Sequence, residues 1–583
     1  MKPPRLTLRR LGFWALVGAI CVAITFGLDH VGTSGAQPAA PPAAEPAPPI
    51  VPVAPPGLAP PSTAPTLDAG PVVPTGKPVC VDAPKVAGPS KLTIESRGKP
   101  GWPAEVTAYV DMLSRSAKPV HEELLPIVGL IFVIILVVAR LPRSAVAHSA
   151  AFRRRRTMNW LPLGLTYAFL YMGRYNMTVL KDVGALSGAD YGDIAFWGSL
   201  VYGVSFLLNG PLADRWGGRV TILIASAGSL ITNGIIGILI LTGNTGDLKL
   251  TFTLLYALNM YFQSFGAVSI VKVNAGWFHL RERGTFGGIF GILISLGIYF
   301  AFDWGFRIAN AFPTQLELLF LVPATLLAVF FVLCFVFVRD TPSGAGLDDF
   351  DPGDASSGQS QVPDPALVVI KRLLTNRIIV IIAIIELCSG FLRQAILQWY
   401  RDFAKGVGGM DSFVYDNWGL VSCIAGITGG IFAGLISDHV FQSRRAPMTA
   451  VLYGVMLAGA LVVLAVIGHP MIVSWTIPVM AMSIIGVHGM LSGTASADFG
   501  GRKNAGIAVG LIDGFVYLGA ALQAQVYGRT LPDKGSCAAK DVDNWLAWPI
   551  WMIPMAVIGL VLGIVIWGAR ADKPKPPPPL VAS

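Results

Sequence analysis

Gly210-Pro-Leu-Ala-Asp214-Arg215-Trp-Gly217-Gly-Arg219 joins two apolar runs, residues 192–212 and 219–242. It has the makings of a tight, charged connector between two membrane-spanning helices. Its glycines let helices approach closely, and Asp214 is placed to pair with the basic residues while capping a helix end. A shorter copy, Gly434-Leu-Ile-Ser-Asp438 followed by Arg444 and Arg445, stands 224 residues further on (438 minus 214). A single such stretch is weak evidence. Two copies, each following the second apolar run of its half of the chain, point to an internal repeat.

Working outward from the first copy, apolar segments recur at roughly the length that crosses a ~30 Å hydrocarbon core. From Asn159 onward there are twelve, approximately 159–180, 192–212, 219–242, 250–274, 284–307, 316–338, 375–400, 415–437, 446–468, 471–494, 503–527 and 544–568. Alternate gaps hold the basic residues: Arg153 to Arg156, Arg215 and Arg219, Arg281 and Arg283, Lys371 and Arg372, Arg444 and Arg445, Arg502 and Lys503. The positive-inside rule puts those gaps in the cytoplasm. The gap 339–374, rich in Asp, Ser, Pro and Gly, splits the twelve into six and six, which is what a transporter built of two repeated bundles requires.

The expected organisation follows. Residues 1–35 are an N-terminal membrane anchor, with an apolar run at 12–28 that reads as retained anchor or signal peptide. Residues 36–120 are a periplasmic extension whose Pro/Ala-rich part cannot bury a core. Residues 121–157 hold a second extra transmembrane helix and a basic cytoplasmic linker. The two six-helix bundles occupy 158–338 and 375–569, the cytoplasmic inter-bundle loop 339–374, and the tail 570–583. The fold class is therefore an all-α polytopic membrane protein, twelve helices plus two at the N-terminus. Both termini are expected in the cytoplasm of a bacterium, across its inner membrane.

Composition excludes other classes. Hydrophobic residues make up 53% of 583 and charged residues 13%, too little charge to clothe a soluble protein of this size. The net charge of +9 is spread over connectors rather than gathered on a domain, so it offers nucleic acid no footprint. No Cys/His cluster has metal-ligand spacing, no cofactor motif occurs, and no nucleophile–base constellation marks an enzyme. Membrane lipid is the expected surroundings.

Two arginines stand inside apolar segments: Arg174 in the first and Arg393 in the seventh, 219 residues apart (393 minus 174) and so nearly equivalent in the repeat. A mid-membrane arginine costs at least about 2.5–3.5 kcal/mol on insertion scales, so it normally faces a cavity or a partner. A pair of guanidinium forks suits a tetrahedral oxyanion. Other readings stay open: Arg174 snorkelling outward near Lys181 and Asp182, and Arg393 pairing with Glu386. Lys272 is placed either for substrate contact or for an intramembrane pair, and Asp513 and His488 for a proton relay or for packing hydrogen bonds.

Over residues 159–570 the chain resembles the organophosphate:phosphate antiporters of the major facilitator superfamily, the glycerol-3-phosphate and hexose-phosphate transporter branch. The Gly210–Arg219 stretch matches the superfamily's loop signature. Further matches are Arg174-Tyr-Asn176, Tyr202-Gly-x-Ser205, Trp277-Phe-x-x-x-Glu282-Arg283-Gly284, Arg339-Asp340-Thr341-Pro342, Leu392-Arg393 with Trp399, and Ala505-Gly506-x-Ala508-x-Gly510 before Tyr517-Leu-Gly519. The resemblance implies that Arg174 and Arg393 hold phosphate and that Tyr167, Tyr171 and Tyr202 line the cavity. It implies exchange of a phosphate ester for inorganic phosphate by alternating access. A proton-coupled anion symporter and a transporter-like sensor are the alternatives, the latter with a partner docked on the N-terminal extension. Phe206, Ile294 and Gly390 stand where the glycerol-phosphate branch has lysine, histidine and tyrosine.

Of six cysteines, Cys21, Cys334, Cys388 and Cys423 lie in apolar segments. Cys80 and Cys537 both fall on the deduced outer, oxidising side, and a disulfide between them is expected.

Overall fold

In a computed structural model the described residues are 148–279, 283–349, 365–441, 445–492, 496–533 and 535–568. The expected N-terminal helices, the Pro/Ala-rich extension with Cys80, most of the inter-bundle loop and the tail lie outside them.

Among the described residues twelve long helices follow in order: α1 Ala150–Asp182, α2 Gly188–Trp216, α3 Gly218–Thr242, α4 Leu248–Trp277, α5 Arg283–Tyr299, α6 Leu318–Phe337, α7 Arg377–Val407, α8 Trp418–His439, α9 Arg445–Ala465, α10 Pro470–Met490, α11 Ser496–Thr530 and α12 Ala547–Val565. The fifth span continues through a π-helical turn, Phe300–Trp304, to Gly305–Ala311. Ten of the described helices are long and apolar enough to cross a membrane, and Trp418–Gly434 is a shorter apolar stretch. Helix α1 carries Arg174, Lys181 and Asp182 within its 33 residues. It begins earlier than the apolar pattern shows, because Ser149 accepts a hydrogen bond from the Phe152 amide and caps it.

That early start puts the arginine cluster on the first turns of α1, where it serves neighbouring helix ends. Arg155 Nη2 donates to Phe337 O (2.8 Å) and Arg156 Nη1 to Trp277 O (3.4 Å), the last carbonyls of α6 and α4. Unpaired terminal carbonyls attract cationic donors for this reason. Within the expected loop 339–374, residues Ala366–Thr375 form a further helix. Its Val369 and Leu373 pack with Ile379 of α7 and Ile507, Ala508 and Leu511 of α11.

Burial sorts the spans into central and peripheral. The fifth span and α11 are 89% and 83% buried, against 33% for each of α6 and α12. Hydrocarbon side chains such as Leu208 and Leu254, about three-fifths exposed, cover the outside. In water such a surface would be a liability; in lipid it is the solvent-facing side. Helix α2 runs closely along α11, joining the two halves of the repeat. A Cβ on Gly203 would stand 2.8 Å from Gly514 O, and one on Gly514 would stand 2.9 Å from Gly203 O, so both positions need glycine.

Candidate functional site

Every residue of α1 from Thr166 to Asp182 is buried, so the arginine in that stretch must be satisfied internally. Arg174 Nε donates to Gln263 Oε1 of α4 (3.0 Å), Nη2 to Tyr202 Oη of α2 (2.9 Å), and Nη1 to Tyr517 Oη of α11. Its guanidinium carbon also lies 4.6 Å from the Tyr171 ring centre and 4.8 Å from that of Tyr202. Gln263 is held in turn: its Nε2 donates to Ser229 Oγ and Asn259 Oδ1, both at 3.2 Å. Tyr256 Oη donates to Arg174 O (2.8 Å) and Asn259 Nδ2 to Gly173 O (2.8 Å), which bind the backbone of α1 to α4. Arg174 therefore does not snorkel to a surface.

Arg393 is different. It is 6% exposed and faces Tyr517, Tyr175 and Tyr171, yet it donates no hydrogen bond among the described residues, and its Nε is buried without an acceptor. Glu386, on the same helix, stands with His488 instead (Nδ1 to Oε2, 3.2 Å). A desolvated guanidinium lacking an acceptor is costly unless a ligand supplies one. Tyr517 is the hinge of this centre. It touches Arg174, faces Arg393, and packs on Tyr202 with ring centres 3.9 Å apart. Tyr175 Oη donates to Gln394 Oε1 (3.2 Å), a direct link from α1 to α7.

Of the residues expected at the site, Arg174, Tyr171 and Tyr202 meet directly, and Tyr167 packs edge-on to Tyr171 at 5.5 Å. Lys272 does not join them: its Nζ lies 2.8 Å from Asp214 Oδ1 in the connector. That pairing is the intramembrane alternative for Lys272 rather than the substrate contact, and it corrects the expected pairing of Asp214 with the connector's own arginines. Arg215 is exposed. The N-terminus of α3 is capped from outside the connector, by Asp340 Oδ1 accepting from Arg219 N (2.8 Å). Gly217, at φ 85°, makes the left-handed turn, and a Cβ there would stand 2.6 Å from Asp340 Oδ2. Gly210 is buried in α2, and Asp438 falls near the end of α8, the equivalent place in the repeat.

Two of the noted departures have structural reasons. Gly390 admits the α11 backbone, since a Cβ there would stand 1.8 Å from Val516 O. Phe206, fully buried, packs edge-on against Tyr202 at 4.8 Å and extends the aromatic lining.

At the end of the bundle away from the basic residues, α1 and α7 are joined by buried charges that sequence reasoning did not connect. Lys181 pairs with Asp402 and donates to Gln398 O (2.6 Å); Arg401 Nε lies 3.6 Å from Asp182 Oδ2. Lys181 Nζ sits 4.0 Å from the Trp399 ring centre and the Arg401 guanidinium 3.6 Å from that of Phe306. At the same end Asp303, in the π-helical turn, accepts from Gly419 N (2.7 Å) and Leu420 N (2.9 Å), capping α8. Asp533 Oδ1 accepts from Gly188 N (2.7 Å). Every one of these contacts crosses from one half of the repeat to the other, so this end is shut.

The sequence pattern described as Major Facilitator Superfamily matches residues 163–524, across both halves of this repeat. The chain belongs to the major facilitator superfamily. It is 27% identical over 457 residues to a glycerol-3-phosphate transporter of Bacillus subtilis, covering 73% of this chain and 95% of that protein. It is also 27% identical to the membrane sensor protein UhpC of Escherichia coli (71% and 91% covered). A probable hexose phosphate transport protein of Chlamydia trachomatis is 23% identical (70% and 90% covered). In three dimensions it is similar to a bacterial homologue of the human lysosomal transporter Spinster in an inward-facing, unoccupied conformation. That likeness has a TM-score of 0.56 at 13% identity, over 72% of this chain and 99% of that one, and it concerns the fold.

Cys537 is disulfide-bonded, whereas Cys334, Cys388 and Cys423 are free and buried. Its partner therefore lies outside the described residues.

Proposed function

We propose that this superfamily member is a secondary active transporter that exchanges a small organophosphate for inorganic phosphate, the phosphoryl group resting between Arg174 and Arg393. The observation that carries this reading is Arg393, whose Nε is buried without an acceptor and which makes no hydrogen bond among the described residues, beside the tyrosines that hold Arg174. A tetrahedral dianion supplies acceptors to both forks at once.

Exchange follows from the same charges. The halves rock about the centre, exposing it to one side at a time. A bound anion ties together the Arg174 and Arg393 forks, one from each half, and lowers the barrier to rocking, so loaded states interconvert faster than empty ones. Lys181–Asp402 and Asp182–Arg401 are the outer gate, which opens when the opposite end closes. The basic end, with Arg153 to Arg156, faces the cytoplasm of a bacterial inner membrane, and both termini lie there. The domain limits given above and a Cys80–Cys537 bond holding the extension over the outer mouth belong to the same proposal.

The test is exchange of labelled phosphate in proteoliposomes against internal unlabelled phosphate, with phosphate esters as competitors. Uptake that needs an internal counter-anion, and that esters inhibit, supports exchange. Ester binding without flux favours instead the sensor role carried by the UhpC relative, in which the extension docks a periplasmic or membrane partner.

A further inference from the structure

Anion exchange by two arginines leaves two buried carboxylic acids and a partly buried histidine unused. Glu386 of α7 is fully buried; its Oε2 stands 3.2 Å from His488 Nδ1 of α10, and its Oε1 has no hydrogen-bond partner among the described residues. Asp513 of α11, 6% exposed, accepts from Ser492 Oγ (2.5 Å). Asp513 lies within electrostatic reach of His488, Glu386 and Arg393. Among the described residues, the other titratable groups within electrostatic reach of the cluster are Tyr167 of α1 and Tyr453 of α9. Tyr517, one turn beyond Asp513, touches Arg174. The His488 side chain is 18% exposed, which gives protons a way in. Helices α7, α10 and α11 thus bring two carboxylic acids and an imidazole to one place beside the second arginine.

Charge counting shows what such a cluster does. With Glu386 and Asp513 ionised, their two negative charges cancel the two positive charges of Arg174 and Arg393. A dianion then enters a cavity with no net attraction for it, and close carboxylates repel it. With a proton on the cluster, the cavity has a net positive charge when the anion arrives. We propose that Glu386, His488 and Asp513 form a proton-binding site coupled to the anion site, so that a bound dianion recruits a proton from solvent. The proton adds to a carboxylate oxygen or to the imidazole, and leaves when the anion leaves. The linkage is reciprocal: anion raises the cluster's proton affinity, and acid raises anion affinity. Exchange of like anions moves no net proton, whereas net anion flow through the same site carries a proton in the same direction. This inference rests on the two-arginine anion site proposed above and adds its coupling ion.

The experiment is isothermal titration of inorganic phosphate into the purified full-length protein, at an alkaline pH where phosphate is a dianion. Two buffers of different ionisation enthalpy report the protons exchanged. The expected result is uptake of about one proton per phosphate bound, with affinity falling up to about tenfold per pH unit above the cluster's titration range. In Glu386→Gln/Asp513→Asn, whose amides mimic protonated acids, phosphate binds without proton uptake. Should that double variant fail to fold, Glu386→Gln or Asp513→Asn alone must lower the count. Phosphate binding by the wild type without proton uptake overturns the inference and leaves the anion site standing. Uptake that persists in these variants and in His488→Gln places the proton outside the cluster and also overturns it. Absence of any binding heat that varies with phosphate overturns the anion site and the coupling together.

Discussion

Lysine at either central arginine keeps the charge and removes the fork, but the two substitutions should fail differently. Arg393 makes no hydrogen bond to protein among the described residues, so Arg393→Lys breaks nothing in the unloaded fold. In the loaded state it forfeits one of two charge-assisted hydrogen bonds. At about 1.5–3 kcal/mol for a bond to a charged group, phosphate affinity falls about 10- to 150-fold. Arg174 donates to Gln263, Tyr202 and Tyr517, and a lysine ammonium cannot reach all three in that fixed geometry. Two buried acceptors left unsatisfied, at about 1–3 kcal/mol each, cost about 2–6 kcal/mol of stability besides the lost affinity. Thermal unfolding in detergent without phosphate, and phosphate binding followed calorimetrically, separate the two effects. The expected pattern is a near-wild-type Tm for Arg393→Lys and a lowered one for Arg174→Lys, with binding impaired in both. A Tm loss in Arg393→Lys equal to that of Arg174→Lys, or unchanged affinity in either, refutes the assignment of Arg393 as the open half of the site.

Three further outcomes follow from other contacts. Asp402→Asn removes the nearer of the two buried carboxylates beside Lys181, and breaking such a pair costs about 3–5 kcal/mol, so the shut end should open; cysteine accessibility at Gly188→Cys should rise, and the charge swap Lys181→Asp/Asp402→Lys should restore protection. Lys272→Met should slow exchange through the loosened connector while leaving phosphate affinity within a factor of about two, since Lys272 pairs with Asp214 rather than with cargo. Mass spectrometry of the non-reduced protein should recover a peptide containing Cys537 linked to one containing Cys80; a Cys537 peptide linked to Cys21 would reject the tether.

The helical architecture could be read from the sequence because hydrocarbon length and the placement of lysine and arginine constrain it independently. The two arginines were visible for a similar reason: a cation inside an apolar run is expensive, and a matching one 219 residues later needs a common cause. What surrounds them was less visible. Gln263 is one polar residue on a helix rich in them, and only folding shows that it meets Arg174 from α4. Tyr517 stood in a recognisable motif, but its role depends on the crossing of α1 and α11. Lys272 stayed open between cargo and an intramembrane pair because depth along a helix can be read from sequence while the direction a side chain faces cannot. The buried charge pairs were hidden for a related reason. Lys181, Asp182, Arg401 and Asp402 sit at helix ends, where sequence alone makes charged residues look solvated, and only the packing of α1 against α7 buries them.

Arsenate has the shape and charge of phosphate and an anomalous X-ray signal, so a crystal grown with it locates the anion directly. The account predicts one anomalous peak within hydrogen-bond reach of both the Arg174 and the Arg393 guanidinium groups, with Tyr202 and Tyr517 beside it. A peak on the surface basic residues alone, in protein that exchanges phosphate, would contradict it.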